Sequence, residues 1–378
     1  MYIPYGRQSI SEEDIQAVVE TLRSDYLTTG PKINEFEKTV ADYTGAKYAV
    51  AVSNGTAALH IACMAAGIKQ GDEVITSPIT FVASANCALY CNATPVFADI
   101  DMKTYNISPE SIEKSITDKT KAIIAVHFSG QPCEMDKIKE IADKYKLTVI
   151  EDAAHALGAD YKGKKVGSIS DMTTFSFHPV KHITTAEGGM VTTNDRELYE
   201  KLLQYRTHGI TRDTSKMDKN DGPWYYEQVD LGYNYRITDV QCALGISQMK
   251  KLDNFVSRRQ QLVSKYNEAF RDYPEIITPY QLDGCNNSYH LYVIRLKTKD
   301  RGDVFGKLRN ARIGVNVHYI PVHTQPYYRE YYEKNKILQP ECPNAMEYYN
   351  TAISLPLYPE LSDEQQKYVI EQVLENIQ

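Results

Sequence analysis

Three stretches of this 378-residue chain carry residue types and spacings that can do chemistry together. Ser53-Asn54-Gly55-Thr56-Ala57-Ala58 follows an apolar run and opens a helical pattern. Free N–H groups and the helix dipole at such a turn attract an anion, and Thr56 adds a hydroxyl. The plain alternative is an ordinary strand–helix turn capped by Thr56. In Glu151-Asp152-Ala153-Ala154-His155, two carboxylates follow directly on the apolar run Thr148–Ile150. A buried carboxylate needs a cationic partner, either a protein Arg or Lys or the protonated ring nitrogen of a cofactor. A solvated acidic turn is the alternative. The third stretch, Thr174–Gly189, ends a strand in a Pro-containing turn and carries Lys181, 29 residues after Asp152. A partly buried lysine has a lowered pKa and becomes nucleophilic, whereas a surface lysine in a turn does nothing. Together, an anion cradle, a strand-end carboxylate and a reactive amine match what pyridoxal phosphate requires.

These residues need a scaffold that brings strand ends together. Short apolar runs read as strands at Tyr48–Val52, Glu73–Thr76, Pro95–Ala98, Ala122–Val126, Thr148–Ile150 and Thr173–Phe177. Helical patterns lie between them at Thr56–Ala66, Pro109–Ile116 and Met135–Tyr145. That alternation predicts an α/β fold with a mostly parallel central sheet covered on both faces, where ligands bind at the carboxyl ends of the strands. Residues 11–23 predict a leading helix with Ser11 as N-cap and an apolar face of Ile15, Val18, Val19 and Leu22. The pattern changes near residue 245. A long polar helix over Gln248–Phe270 is followed by a strand at His290–Leu296, a helix at Arg301–Asn310, a strand at Val315–His318 and a last helix from Ser362. The expected domains are 1–245 and a smaller α+β unit at 246–378. Residues 211–228 read as a long surface loop.

Composition narrows the function classes. The net charge of −7 argues against nucleic acid or an anionic membrane as partner. Seven scattered cysteines argue against a disulfide framework and for a reducing, cytoplasmic setting. The first residues lack a signal-peptide pattern, and no apolar run approaches a membrane span of roughly 20 residues. GxxxxGK[ST], GxGxxG, HExxH and GxSxG are all absent. Asp99-x-Asp101 reads as an acidic turn, Cys87 and Cys91 as small apolar residues of one helix face, and no metal is expected.

The stretches SNGTAALH, TSPITFVASANC, VIEDAAHALGA, FSFHPVKHITTAEGGM and LGYNYRITDVQCALG resemble the DegT/DnrJ/EryC1/StrS sugar aminotransferases over nearly the whole chain. The resemblance implies the pyridoxal-phosphate-dependent type I fold, with Lys181 as Schiff-base lysine and proton shuttle. It implies Asp152 on the pyridinium nitrogen, His155 beside the ring and Phe81 stacked on it. Thr56, Ala57 and Ser176 would bind the phosphate. Asn234 would reach that phosphate from a partner subunit, giving a homodimer with shared active sites, and Arg236 from the partner would meet the substrate's diphosphate. Tyr5, Asp25, Tyr26, Leu27 and Thr28 are further implied substrate contacts, with His318, Tyr319, His323 and Tyr327 as candidates. KHITTAEGG resembles the C4-aminating members. The implied reaction moves an amino group from L-glutamate, through the pyridoxamine form, to UDP-2-acetamido-2,6-dideoxy-β-L-arabino-hex-4-ulose. Another nucleotide 4-keto sugar, or a non-catalytic cofactor-binding regulator, are the alternatives.

Overall fold

The computed structural model describes residues 2–377. A seven-stranded sheet runs in the order Tyr48–Val52, Gly189–Thr193, Met172–Ser176, Thr148–Asp152, Thr120–Val126, Glu73–Thr76, Thr94–Phe97. Six strands point the same way, and Gly189–Thr193 runs against both of its neighbours. Alternation along each strand feeds two cores. Val50 and Val52 join Ile124, Ile150 and the helix Gly55–Ala65 on one face, while Ala49 and Ala51 pack with Phe36 and Phe177 on the other. With both faces covered, the strand ends are the open edge of this layer. Ser53, Asp152 and Ser176 all lie on that edge.

A second, antiparallel sheet joins Ile276–Ile277, Tyr292–Leu296 and Ala352–Leu355. The helices Leu252–Phe270, Arg301–Asn310 and Asp363–Ile377 pack on it through Tyr266, Leu308 and Val369. Ile3 belongs to this core, and its N–H bonds the Arg312 carbonyl at 3.0 Å. The chain therefore begins on the second sheet and then crosses to the first.

Several expectations are corrected. The strand Thr148–Asp152 continues through both carboxylates, which belong to the sheet and not to the turn after it. Gly189–Thr193 is a strand that the pattern hides, because it opens on glycine. Val315–His318 is no strand. Only Asn316 bridges to Ser354, and the chain then turns through Pro321. The long helix divides into Asp239–Met249 and Leu252–Phe270. The loop 211–228 carries a two-residue pairing of Ile210–Thr211 with Glu227–Gln228 at its neck. The leading helix Glu12–Leu22 forms with Ser11 before it, but Ile15 and Leu22 are 47% and 55% exposed. Its buried residues are Asp14 and Thr21, and Asp14 is held by Gln248 and Lys251. Asp99 accepts the N–H groups of Asn344 and Ala345 at the start of the helix Pro343–Thr351, so that acidic turn serves as a helix cap.

Candidate active site

The helix Gly55–Ala65 starts at the carboxyl edge of the large sheet, and its cap is Asn54, not Thr56. The Asn54 Oδ1 accepts the Ala57 N–H at 2.8 Å. Ser176 ends its strand directly against this turn. A Cβ on Gly55 would stand 2.9 Å from the Ser176 Cβ, and one on Gly189 would stand 2.4 Å from the Asn54 carbonyl oxygen. The two glycines thus allow an approach that no larger residue permits. The result is a helix N-terminus with the Thr56 and Ser176 hydroxyls beside it, which suits a dianion.

Asp152 is buried at the end of its strand. Its Oδ2 accepts the Ser84 hydroxyl at 2.6 Å and its Oδ1 the Ala154 N–H at 3.2 Å. Facing it is Lys181, half-buried in the turn after the Ser176 strand. Among the described residues, the Lys181 Nζ has no hydrogen-bond or ion-pair partner. Burial lowers its pKa to about 8, against the pull of the Asp152 charge. His155 lies within reach of the same field. Burial, then the Lys181 charge, hold its pKa well below the ordinary value, so it is neutral.

The tautomer of His155 follows from its partners. Its Nδ1 accepts the Ser129 N–H at 3.3 Å, so the proton sits on Nε2. That N–H donates to the Tyr319 hydroxyl at 3.0 Å. Tyr319 keeps its own proton free for the cleft. Phe81, 60% exposed, stands 6.5 Å from the Tyr319 ring, centroid to centroid. A flat ring thus finds aromatic walls, a carboxylate floor and an amine in one cleft, with the anion turn at its side.

Other expected residues fall into two groups. Tyr5 and His318 join the cleft: their rings are 5.5 Å apart, and His318 feels the Lys181 charge. The His318 Nδ1 bonds Ser354 at 2.8 Å. Asp25, Tyr26, Leu27 and Thr28 form an exposed turn that bridges to Thr238 and Asp239, close in sequence to Arg236. Arg236 is half-buried and has no ion-pair partner among the described residues. Asn234 is exposed, on a segment fixed by the Ser53 N–H to the Tyr235 carbonyl and by His60 to the Tyr235 hydroxyl. His323 is buried beside Phe97, whereas Tyr327 is exposed and meets Tyr328 edge-on. Sequence reasoning missed Ser84, Thr80, Ser129 and Ser354. Thr80 and Ser84 carried a signal, since residues four apart can share one face of a turn.

The fold and this cleft define the pyridoxal-phosphate-dependent class of aminotransferases. The model of the DegT/DnrJ/EryC1/StrS aminotransferase family matches residues 8–374. The spore coat polysaccharide biosynthesis protein SpsC of Bacillus subtilis (strain 168) is 45% identical over 377 residues, covering 98% of this chain and 96% of SpsC. The UDP-4-amino-4,6-dideoxy-N-acetyl-β-L-altrosamine transaminase of Campylobacter jejuni (strain 81-176) is 39% identical over 97% of this chain and 95% of its own. Among solved structures, Helicobacter pylori PseC, an aminotransferase of pseudoaminic acid biosynthesis, superposes with a TM-score of 0.92 at 32% identity, covering 100% and 99% of the two chains. The pyridoxal phosphate form of the putative sugar aminotransferase Spr1654 from Streptococcus pneumoniae gives 0.91 at 32% identity, with both chains fully covered. This chain belongs to the DegT/DnrJ/EryC1/StrS aminotransferase family. It is a sugar aminotransferase that uses pyridoxal phosphate, and the reading as a non-catalytic regulator is set aside.

Proposed function

We propose that the enzyme aminates C4 of UDP-2-acetamido-2,6-dideoxy-β-L-arabino-hex-4-ulose with nitrogen from L-glutamate, yielding UDP-4-amino-4,6-dideoxy-N-acetyl-β-L-altrosamine. One observation supports the site assignment: the Lys181 amine, without a partner among the described residues and with its pKa lowered to about 8, faces the Asp152 carboxylate. Thr56, Ala57 and Ser176 hold the cofactor phosphate at the helix N-terminus. Asp152 meets the ring nitrogen, and Phe81 and His155 line the ring. Pyridoxal phosphate held there would supply the electron sink and the carrier for the donor's amino group. Lys181 moves the proton that each half of the transfer requires, and an amine with a pKa near neutrality can both accept and release it. Tyr319 offers its free hydroxyl proton to the cleft. Arg236, without an ion-pair partner among the described residues, supplies charge for a diphosphate.

The exposed apolar residues Ile15, Leu22, Tyr26 and Leu27, together with exposed Asn234, support a homodimer in which this face meets a second copy. Seven free, buried cysteines support a reducing, cytoplasmic setting. Among the described residues, no helix is long and apolar enough to cross a membrane. Residues up to about 245 act as the cofactor domain and the remainder as the small domain.

The substrate reading is supported by the 39% identical transaminase and by the KHITTAEGG segment. The 45% identity to SpsC favours a second reading, amination of another nucleotide 4-keto sugar destined for a coat polysaccharide. A panel of UDP-, GDP- and dTDP-linked 4-keto sugars with L-glutamate separates them by product mass and by NMR at C4. Turnover of the UDP-N-acetyl substrate at least about tenfold above the others upholds the first reading. A different preferred sugar replaces it with the second.

A further inference from the structure

Behind the Asp152 carboxylate lies a pair of hydroxyls to which the proposed chemistry gives no role. Thr80 precedes the helix Ala83–Tyr90, and Ser84 lies in its first turn. Both are buried, at 3% and 1% exposure. Their hydroxyl oxygens are 2.6 Å apart, and the Ser84 Oγ is 2.6 Å from the Asp152 Oδ2.

The chemistry fixes the direction of this run. An ionised carboxylate only accepts, so Ser84 gives its single proton to Asp152. The Phe81 carbonyl, 3.3 Å away, competes poorly with a charged acceptor at 2.6 Å. Ser84 then has only lone pairs left for Thr80, so Thr80 donates to Ser84. The second hydroxyl polarises the first, and both lie in a buried setting where such bonds are strong.

We infer that Ser84, backed by Thr80, is a positioning residue for the amino transfer. Its donated hydrogen bond fixes the Asp152 carboxylate in place, so that its charge stays aimed at the cofactor's ring nitrogen. This rests on the reading that Asp152 meets that nitrogen. A donor on the charged form of a carboxylate favours that form. Without it, the carboxylate would be free to turn, its charge would meet the ring nitrogen less closely, and the pH midpoint of the bound cofactor's absorbance would rise. The titratable groups facing the cleft are Lys181, His155, His318, Tyr319 and Tyr5, with His182 and His290 next to them. All of these are retained in every Ser84 and Thr80 variant, so a shift between proteins reports on the hydroxyls.

The test uses the holoenzyme and the pH midpoint of the visible absorbance of its bound pyridoxal phosphate. Ser84→Ala should raise the midpoint by about one pH unit and lower kcat about tenfold, with the sugar KM little changed. Thr80→Val, which keeps shape and loses the hydroxyl, should move the midpoint the same way by less. Thr80→Ser, which restores the hydroxyl, should return it to the wild-type value. Melting curves check that each variant is folded. Asp152→Asn separates the two levels of the argument. If it leaves the midpoint in place, the assignment of Asp152 itself fails. If Asp152→Asn moves the midpoint and neither Ser84→Ala nor Thr80→Val does, the hydroxyl pair alone is overturned.

Discussion

Glu151 and Asp152 are adjacent on one strand, face opposite sides of the sheet and are both buried. A carboxylate offers about four acceptor positions. Glu151 uses four: the His127 Nε2–H at 2.6 Å, the Ser170 N–H and hydroxyl, and the Thr173 hydroxyl. The His127 proton is on Nε2 because its Nδ1 accepts the Cys133 N–H at 3.1 Å. Asp152 uses two, and its spare capacity faces the Lys181 cleft. A saturated buried carboxylate holds a fold together. An unsaturated one aimed at a cavity is left for a ligand.

That contrast predicts separable failures. The largest effect belongs to the cleft: Lys181→Ala should lose the visible absorbance of bound pyridoxal phosphate and more than about 10⁴-fold of turnover. A variant that still transaminates removes Lys181 from the site. The same protein without cofactor should be more stable than wild type at neutral pH, by up to about 3 kcal/mol, because a buried amine disfavours its own charge. The sign follows from the lowered pKa. Between about 8 and the unfolded value of about 10.4 the unfolded chain binds more protons, so wild-type stability rises with pH there and the gap closes. Thermal melts of both apoproteins across that window check it.

On the other side of the strand, Glu151→Ala should cost about 3–5 kcal/mol of stability, because it strands a buried network. Its folded fraction should keep the cofactor absorbance. Asp152→Asn should do the reverse, keeping the melting temperature and weakening the absorbance and kcat. If both variants fail in the same way, the distinction between a saturated and a spare carboxylate is lost.

The sequence made much of the cleft readable. Lys181 and Asp152 sit in short motifs bound to one strand end each, and the parallel strands around them have the apolar runs expected of a sheet buried on both sides. What stayed hidden depends on contacts between distant segments. Ser84 meets Asp152 across 68 residues, and Tyr319 meets His155 across 164. No local period encodes such pairs. The carboxylates were both legible as candidates, but their division of labour was not, since it depends on how many donors surround each. The leading helix misled for another reason. Its apolar stripe has the right spacing, yet Ile15 and Leu22 lie on the surface of the single chain. A stripe that stays on the surface has the same spacing as one that fills a core.

Two smaller effects refine the contrast. Burial pushes the Glu151 carboxyl up, but the bonds from His127, Ser170 and Thr173 outweigh it and hold its pKa below the usual range. A lowered carboxyl pKa gives stability that is present above the unfolded value of about 4.3 and lost as pH falls through the folded value. Acid melts of the apoprotein should show that loss, and Glu151→Gln should flatten it. A slope unchanged in Glu151→Gln assigns acid sensitivity elsewhere.

The smallest effect tests how the two sheets share the cleft. Tyr319 comes from the second half of the chain and accepts from the His155 Nε2–H. Tyr319→Phe removes one neutral hydrogen bond worth about 1 kcal/mol, so kcat/KM should fall about fivefold. The same variant leaves His155 with an unused donor in a buried place, so it should also loosen the cofactor, read as faster loss of pyridoxal phosphate on dialysis. A fall in kcat/KM without faster cofactor loss would place the Tyr319 hydroxyl on the sugar instead, through the proton that His155 leaves free.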